Sequence, residues 1–189
     1  MSTLITTNLK HASASGNNLV LNSNGTVTGA GKVLQVVQSI KTDAEAIVTG
    51  YTWTDIDDMS VTITPSATTS KIFVMADFAI GLSNGYDGKV RLYRGSTHIY
   101  KGDDTSDYVS TTKRIQPYSA SNDNYKIENV ALGFLDSPNT TDATTYKLQG
   151  AAYGSVVMYI NRTHTMNAYK SSGYDGYPAS SITAWEIGA

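Results

Sequence analysis

No stretch of this chain carries apolar residues at the 3.6-residue spacing of a helix, and that narrows its possible folds more than any other feature. From Lys32 onward the sequence is a series of short β-forming segments separated by clusters of Gly, Ser, Asn, Asp and Pro. Residues 33–40, 47–53, 60–64, 71–80, 89–94, 97–101, 125–135, 144–153, 155–160 and 181–187 read as strands. Segment 71–80 alternates poorly, yet its Ile, Phe and Val fit a buried strand better than a helix. Segment 89–94 alternates cleanly, with Val90 and Leu92 on one face and mostly charges on the other. Residues 35–45 leave room for one helical turn and no more. About eight to ten short strands at this spacing predict an all-β sandwich or small barrel. An opening strand near Val33 and a closing strand near Trp185 suit a jelly roll whose two ends return to one face.

Composition agrees and excludes several classes. The 189 residues include 20 Ser, 24 Thr and 13 Tyr, and Tyr and Thr favour pleated, half-buried surfaces. Lys and Arg total 14 against 16 Asp and Glu, with no basic stripe to neutralise phosphates, so nucleic acid is not an expected partner. The longest apolar runs, 72–76 and 156–160, are far short of a bilayer span, so no membrane is expected either. The first eight residues lack the basic start and apolar core of an export signal. With no Cys, disulfide stapling, thiol catalysis and cysteine metal sites are all excluded.

The first 31 residues differ from the rest. Leu19 to Leu21 and Thr26 to Thr28 flank Asn24-Gly25, a pair suited to a type I′ hairpin turn because both positions need positive φ. A lone two-stranded hairpin is not stable in water, so this one must lean on other copies or on another protein. Residues 1–31 therefore read as an attachment or stem segment, with Leu4, Ile5, Leu19, Leu21 and Val27 as its contact residues. The plainer alternative is a loose terminus. Residues 32–189 form the expected head.

Motifs for chemistry are few. Gly81-Leu-Ser-Asn-Gly85 fits G-x-S-x-G, but that elbow needs a strand before the serine and a helix after it, and a strand begins at Lys89 instead. It reads as a turn, and no catalytic residue or cofactor is expected. His11, His98 and His164 are far apart and share no ligand spacing. Asp103-Asp-Thr-Ser-Asp107 lacks the Gly and terminal Glu of an EF-hand loop and reads as a solvated acidic turn; Asp55, Asp57 and Asp58 make a weaker cluster of the same kind. No metal is assigned. The loops carry a clearer signal. If strands alternate from a base holding both ends, residues 83–88, 116–125 and 161–180 lie together at the far end. They contain Tyr86, Tyr118, Tyr125, Tyr169, Tyr174 and Tyr177 among Asn, Asp and Ser. Such aromatics suit sugar rings or protein surfaces, though tyrosines that cap the core would look the same in sequence.

Ser60-Val-Thr-Ile-Thr-Pro-Ser-Ala-Thr-Thr-Ser-Lys-Ile-Phe-Val74 and Arg91-Leu-Tyr-Arg-Gly-Ser-Thr-His-Ile-Tyr-Lys-Gly-Asp103 resemble, in order, a pattern of phage structural proteins. Phe134-Leu-Asp-Ser-Pro-Asn-Thr-Thr141, Thr145-Tyr-Lys-Leu-Gln149, Tyr159-Ile-Asn-Arg-Thr163 and Ser181-Ile-Thr-Ala-Trp-Glu-Ile187 continue it. The family it looks like is the fibre and spike proteins of marine tailed phages, especially those of cyanobacteria, and the likeness spans residues 33–189. Asn18-Leu-Val-Leu-Asn-Ser-Asn-Gly-Thr-Val27 is similar to phage fibre stems, though shorter. The resemblance implies a trimeric jelly-roll knob similar to C1q and tumour-necrosis-factor domains. It also implies a virion location, with synthesis in the host cytoplasm and no signal peptide. Residues 1–31 would then meet other virion proteins, and the knob a host-surface polysaccharide or protein. The sequence does not name the residues on a three-fold axis: Tyr153, Met158 and Trp185 are guesses, and each fits a plain core position at least as well. A capsid decoration or cement protein is the alternative; a depolymerase and a cellular C1q-like adhesin fit less well.

Overall fold

The computed structural model describes the strand backbones at 8–9, 19–21 and 27–28, and residues 32–48, 50–83, 87–103, 105–106, 108–116, 125–164 and 176–188. Near the start, β1 (Asn8–Leu9), β2 (Leu19–Leu21) and β3 (Val27–Thr28) form a three-stranded antiparallel sheet. Leu21 faces Val27 and Val20 faces Thr28, the register expected of a hairpin turning near Asn24-Gly25. Pairing of β1 with β2 adds a strand the sequence did not announce. Leu19, Leu21 and Val27 lie on these strands; Leu4, Ile5 and the turn itself lie outside the described residues.

Eleven further strands build the head: β4 (Val33–Lys41), β5 (Glu45–Val48), β6 (Thr54–Ile63), β7 (Lys71–Leu82), β8 (Gly88–Arg94), β9 (Thr97–Ile99), β10 (Lys113–Ile115), β11 (Glu128–Asp136), β12 (Thr144–Ala152), β13 (Val157–Ile160) and β14 (Ser180–Ile187). A first sheet runs β4-β14-β7, with β11 along the opposite edge of β7. Strand β14 covers residues 71–77 of β7, and β13 takes over that same edge at 80–82, with β5 beyond it. A second sheet runs β10-β8-β12-β6, with β9 folded back on β8. Numbered in chain order without the short β5, β9 and β13, the eight remaining strands lie 1-8-3-6 in the first sheet and 2-7-4-5 in the second. That is the jelly-roll β-sandwich the sequence predicts.

Period-two burial explains the sandwich. Met59, Val61 and Ile63 of β6, Val90 and Leu92 of β8, and Tyr146 and Leu148 of β12 point inward from the second sheet. Ile72, Val74, Ala76 and Phe78 of β7, Val130 and Leu132 of β11, and Ile182 and Ala184 of β14 meet them from the first. Gly81 is needed where the chain after β13 passes β7, because a Cβ there would sit 2.4 Å from the Arg162 carbonyl oxygen.

Several sequence expectations need correction. Residues 35–45 contain no helical turn; β4 runs through them, because Val37 packs inward while Val36 and Ile40 point outward, a period of two. The strand expected at 47–53 stops at Val48, since Gly50 and Tyr51 both take positive φ, +50° and +77°, and turn the chain. Strand β6 begins at Thr54, six residues earlier than its apolar pattern suggested. Strand β10 was not foreseen: three residues, two of them cationic, carry no apolar pattern.

Candidate functional site

The strand register fixes which loops share an end. Lys41 pairs with Ser180, Ile80 with Glu128, Gly88 with both Ile115 and Ala152. The described loop residues next to these pairs, 42–44, 83, 87, 116, 125–127, 153–156 and 176–179, therefore lie at one end of the sandwich. At the opposite end Val33 pairs with Ile187, and the Gly188 amide donates to the Lys32 carbonyl at 2.8 Å. Entry to and exit from the head thus lie side by side, away from those loops.

Of the tyrosines singled out, Tyr125 and Tyr177 are described and are 40% and 56% exposed. Tyr86, Tyr118, Tyr169 and Tyr174 lie outside the described residues. The axial guesses divide. Met158 is fully buried in the core, in contact range of Gly88 and Gly150, which selects the core reading for it over the axis. Tyr153 is exposed at the loop end, and Trp185 lies on the outer face of the first sheet.

That outer face is unusual. Register and alternation place Val36, Trp185, Phe73 and Leu135 in one row across all four strands, with Gln38, Thr183, Met75 and Gly133 in the next. Val36, Met75 and Leu135 are 52%, 43% and 55% exposed, and Ile40 and Leu34 extend the apolar surface along β4. The Phe73 and Trp185 rings lie 5.6 Å apart at its centre. Gly133 lies beside the Phe73 ring, where an added Cβ would come within 3.3 Å of it. The second sheet's outer face is opposite in character. It carries Lys89, Arg91 and Lys147, with Lys147 bound to Asp55 at 2.7 Å and Arg91 stacked 3.8 Å over Trp53. Burial opposes ionisation of Asp55, but bonds from Lys147 and Gln149 win and hold its carboxyl below the ordinary range.

Three buried polar groups of the fold are matched by partners. Asp136 of β11 accepts from the Arg94 guanidinium at 2.9 Å on each oxygen and from the buried Tyr146 hydroxyl at 2.6 Å, which clamps the two sheets together. Glu186 of β14, also buried, accepts from the Ser66 amide and hydroxyl and from Gln35. Burial raises its pKa, but these donors and Ser70 outweigh that and hold it at about 2. At the loop end, buried Asn161 donates to the carbonyls of Lys41 and Asp43 and accepts from Ser180.

Chemistry suggested by motif does not assemble. Ser83 donates its amide to the Val157 carbonyl and accepts the Val157 amide on its hydroxyl, which closes β13 onto the end of β7. The next described strand, β8, begins at Gly88, so no strand–helix elbow frames this serine. His98 stacks on Tyr93 and His164 on Tyr159; His11 lies outside the described residues. Among the described residues, no three His, Asp or Glu side chains come together as cation ligands. Asp103 is exposed, and Asp104 and Asp107 lie outside the described residues.

No protein-family model and no curated protein matches the chain. Among solved structures it is similar to that of infectious bursal disease virus Gt strain, at 13% identity and TM-score 0.42 over 87% of this chain. The Gx strain structure gives 12% and 0.40 over 86% of this chain. T=1 particles derived from infectious bursal virus give 10% and 0.41 over 89%. The chain spans about 40% of the length of those structures, 40%, 39% and 40% respectively.

Proposed function

We propose that this chain is a non-enzymatic structural component of a virus particle, a short trimeric fibre or spike. Residues 1–31, through Leu4, Ile5, Leu19, Leu21 and Val27, attach it to other virion proteins, and the head binds a host-surface polysaccharide or protein. The observation that carries this reading is the apolar outer face of the first sheet set beside a charged outer face on the second. A sheet face with half-buried Phe73 and Trp185 between exposed Val36 and Leu135 in one row gains by burial against copies of itself, and closed cyclic symmetry ends such an assembly. The jelly-roll topology and the ordered sequence blocks of phage fibre proteins support the virion role. The separation of the head's two ends from the loop end, where Tyr125 and Tyr177 lie exposed, supports a stem below and a contact surface above, to which we also assign Tyr86, Tyr118, Tyr169 and Tyr174.

Electron cryo-microscopy of intact particles tests it. Trimers in a few copies at vertices or tail are expected. Copies at every equivalent capsid site would replace the fibre with a decoration protein, and absence from particles would end the virion reading. Tyr174→Ser with Tyr177→Ser is expected to reduce adsorption; unchanged adsorption would remove these tyrosines from the contact.

A further inference from the structure

Tyr51 gives the loop end of the second sheet a surface of its own. Tyr51 follows Gly50 in the turn before β6, with φ +77°, a conformation that bulky side chains rarely adopt. Its amide donates to the Ala152 carbonyl at 3.2 Å, which fixes the turn against β12. Tyr51 is nonetheless 57% exposed. Its ring meets the half-exposed Tyr153 edge-on, centroids 5.1 Å apart. A hydrogen bond with Tyr153, burial and the nearby Asp87 raise the Tyr51 pKa, so the phenol stays neutral.

Charge surrounds this pair unevenly. The Tyr153 amide donates to the Asp87 carbonyl, so Asp87 is the next residue across the end of the sheet. Its single carboxylate holds both Lys89 and Arg114 at 2.9 Å. One row further in, Arg91 lies over Trp53 and bonds to the Ser110 carbonyl, and its partners among the described residues are neutral. Among the described residues of this face, Lys89, Arg91, Arg114 and Lys147 thus outnumber the carboxylates of Asp87 and Asp55, on a chain whose net charge is −2.

We infer that the loop end of the second sheet binds an acidic polysaccharide. Tyr51, Tyr153 and Trp53 stack on sugar rings, and Lys89, Arg91 and Arg114 meet its carboxylate or sulfate groups. The inference rests on the proposed host-facing role of this end, and it names the chemistry of the ligand. An exposed aromatic pair supplies flat area for sugar C–H faces at little entropic cost, and the unbalanced cations exclude neutral glycans as the preferred partner.

The test uses the purified full chain, so its outcome is independent of where the protein sits in a particle. Calorimetric titration with a polyuronate oligosaccharide (alginate), a dextran oligosaccharide of equal length and an oligothymidylate compares acidic sugar, neutral sugar and nucleic acid. Binding to alginate alone is expected, weakening at least about tenfold between 50 and 500 mM salt. Tyr51→Asn, which accepts positive φ, is expected to keep or raise the melting temperature while weakening binding about tenfold, and Arg91→Gln to weaken it similarly. Lys71→Gln, on the other sheet, is expected to bind as the parent does. No binding, equal binding of dextran, tighter binding of oligothymidylate, or unaltered binding by both Tyr51→Asn and Arg91→Gln would each overturn the assignment.

Discussion

Asp136 is the point where the two sheets of the head are joined by charge, and Tyr146→Phe is the smallest change that tests the joint. It removes one hydroxyl and leaves the ring, so the fully buried site keeps its shape. The lost bond is a 2.6 Å contact to a carboxylate, which contributes about 1.5–3 kcal/mol. For a domain of this size each kcal/mol moves the midpoint by about 2–4 °C, so a fall of roughly 3–12 °C is expected. Asp136→Ala is more severe. It strands the Tyr146 hydroxyl and removes both carboxylate bonds of Arg94, which keeps its bond to the Ser137 carbonyl and a side chain 30% exposed. Water at Arg94 keeps the cost to about 3 kcal/mol, the low end for breaking a buried pair. The pH dependence has a sign of its own. Burial, with help from Asp136, raises the Tyr146 pKa, so its stabilisation is complete below the unfolded value near 10 and is lost as pH rises above it. Phenylalanine at this position is expected to flatten that alkaline loss. Differential scanning calorimetry from pH 7 to 11 reads both effects. A Tyr146→Phe melting point within a degree of the parent, with the same alkaline slope, would refute the clamp.

Three further outcomes follow from the same packing. The depressed Glu186 pKa means stability present above about pH 4.5 and lost as pH falls toward about 2, worth roughly 3 kcal/mol, and Glu186→Gln should remove that acid dependence in chemical denaturation series. Gly81→Ala forces a methyl group against the Arg162 carbonyl and should cost about 1–3 kcal/mol or more, seen as a lowered urea midpoint. Ser83→Ala loses one bond to the Val157 amide, an expected fall of about 0.5–1.5 kcal/mol in the same assay, and no esterase activity of the parent is expected to disappear with it.

Much of the fold was legible because one face of most strands is apolar. Val90 and Leu92 alternate with Lys89, Arg91 and Tyr93, and the structure buries the first pair and turns the others outward. Segment 71–80 was harder to read for a reason now visible: Phe73 and Met75 face outward on the apolar sheet face, so both sides of β7 are hydrophobic. Tyr51 was hidden because positive φ at a tyrosine has no sequence signature; the mirrored dipeptides Gly50-Tyr51 and Tyr153-Gly154, both glycines at positive φ, are the nearest hint. Arg94, Asp136 and Tyr146 come from three strands and meet only through the jelly-roll crossing. Met158 shows the limit of composition: an apolar residue fits an axis or a core alike in sequence, and the corner between β12 and β13 places it in the core.

Self-association through the first sheet is the claim on which the proposed role depends. The measurement that reaches it most directly is the mass of the whole chain in solution, by sedimentation equilibrium, beside that of Trp185→Asp. Three copies of a 20.3 kDa chain give about 61 kDa. The account predicts that value for the parent. It predicts a single-chain mass for Trp185→Asp with an unchanged far-ultraviolet spectrum, since a charge in the Val36–Trp185–Phe73–Leu135 row opposes burial of that row without touching the core. A parent that sediments at 20.3 kDa across micromolar concentrations, or a Trp185→Asp variant that stays at the parent's mass, would contradict it.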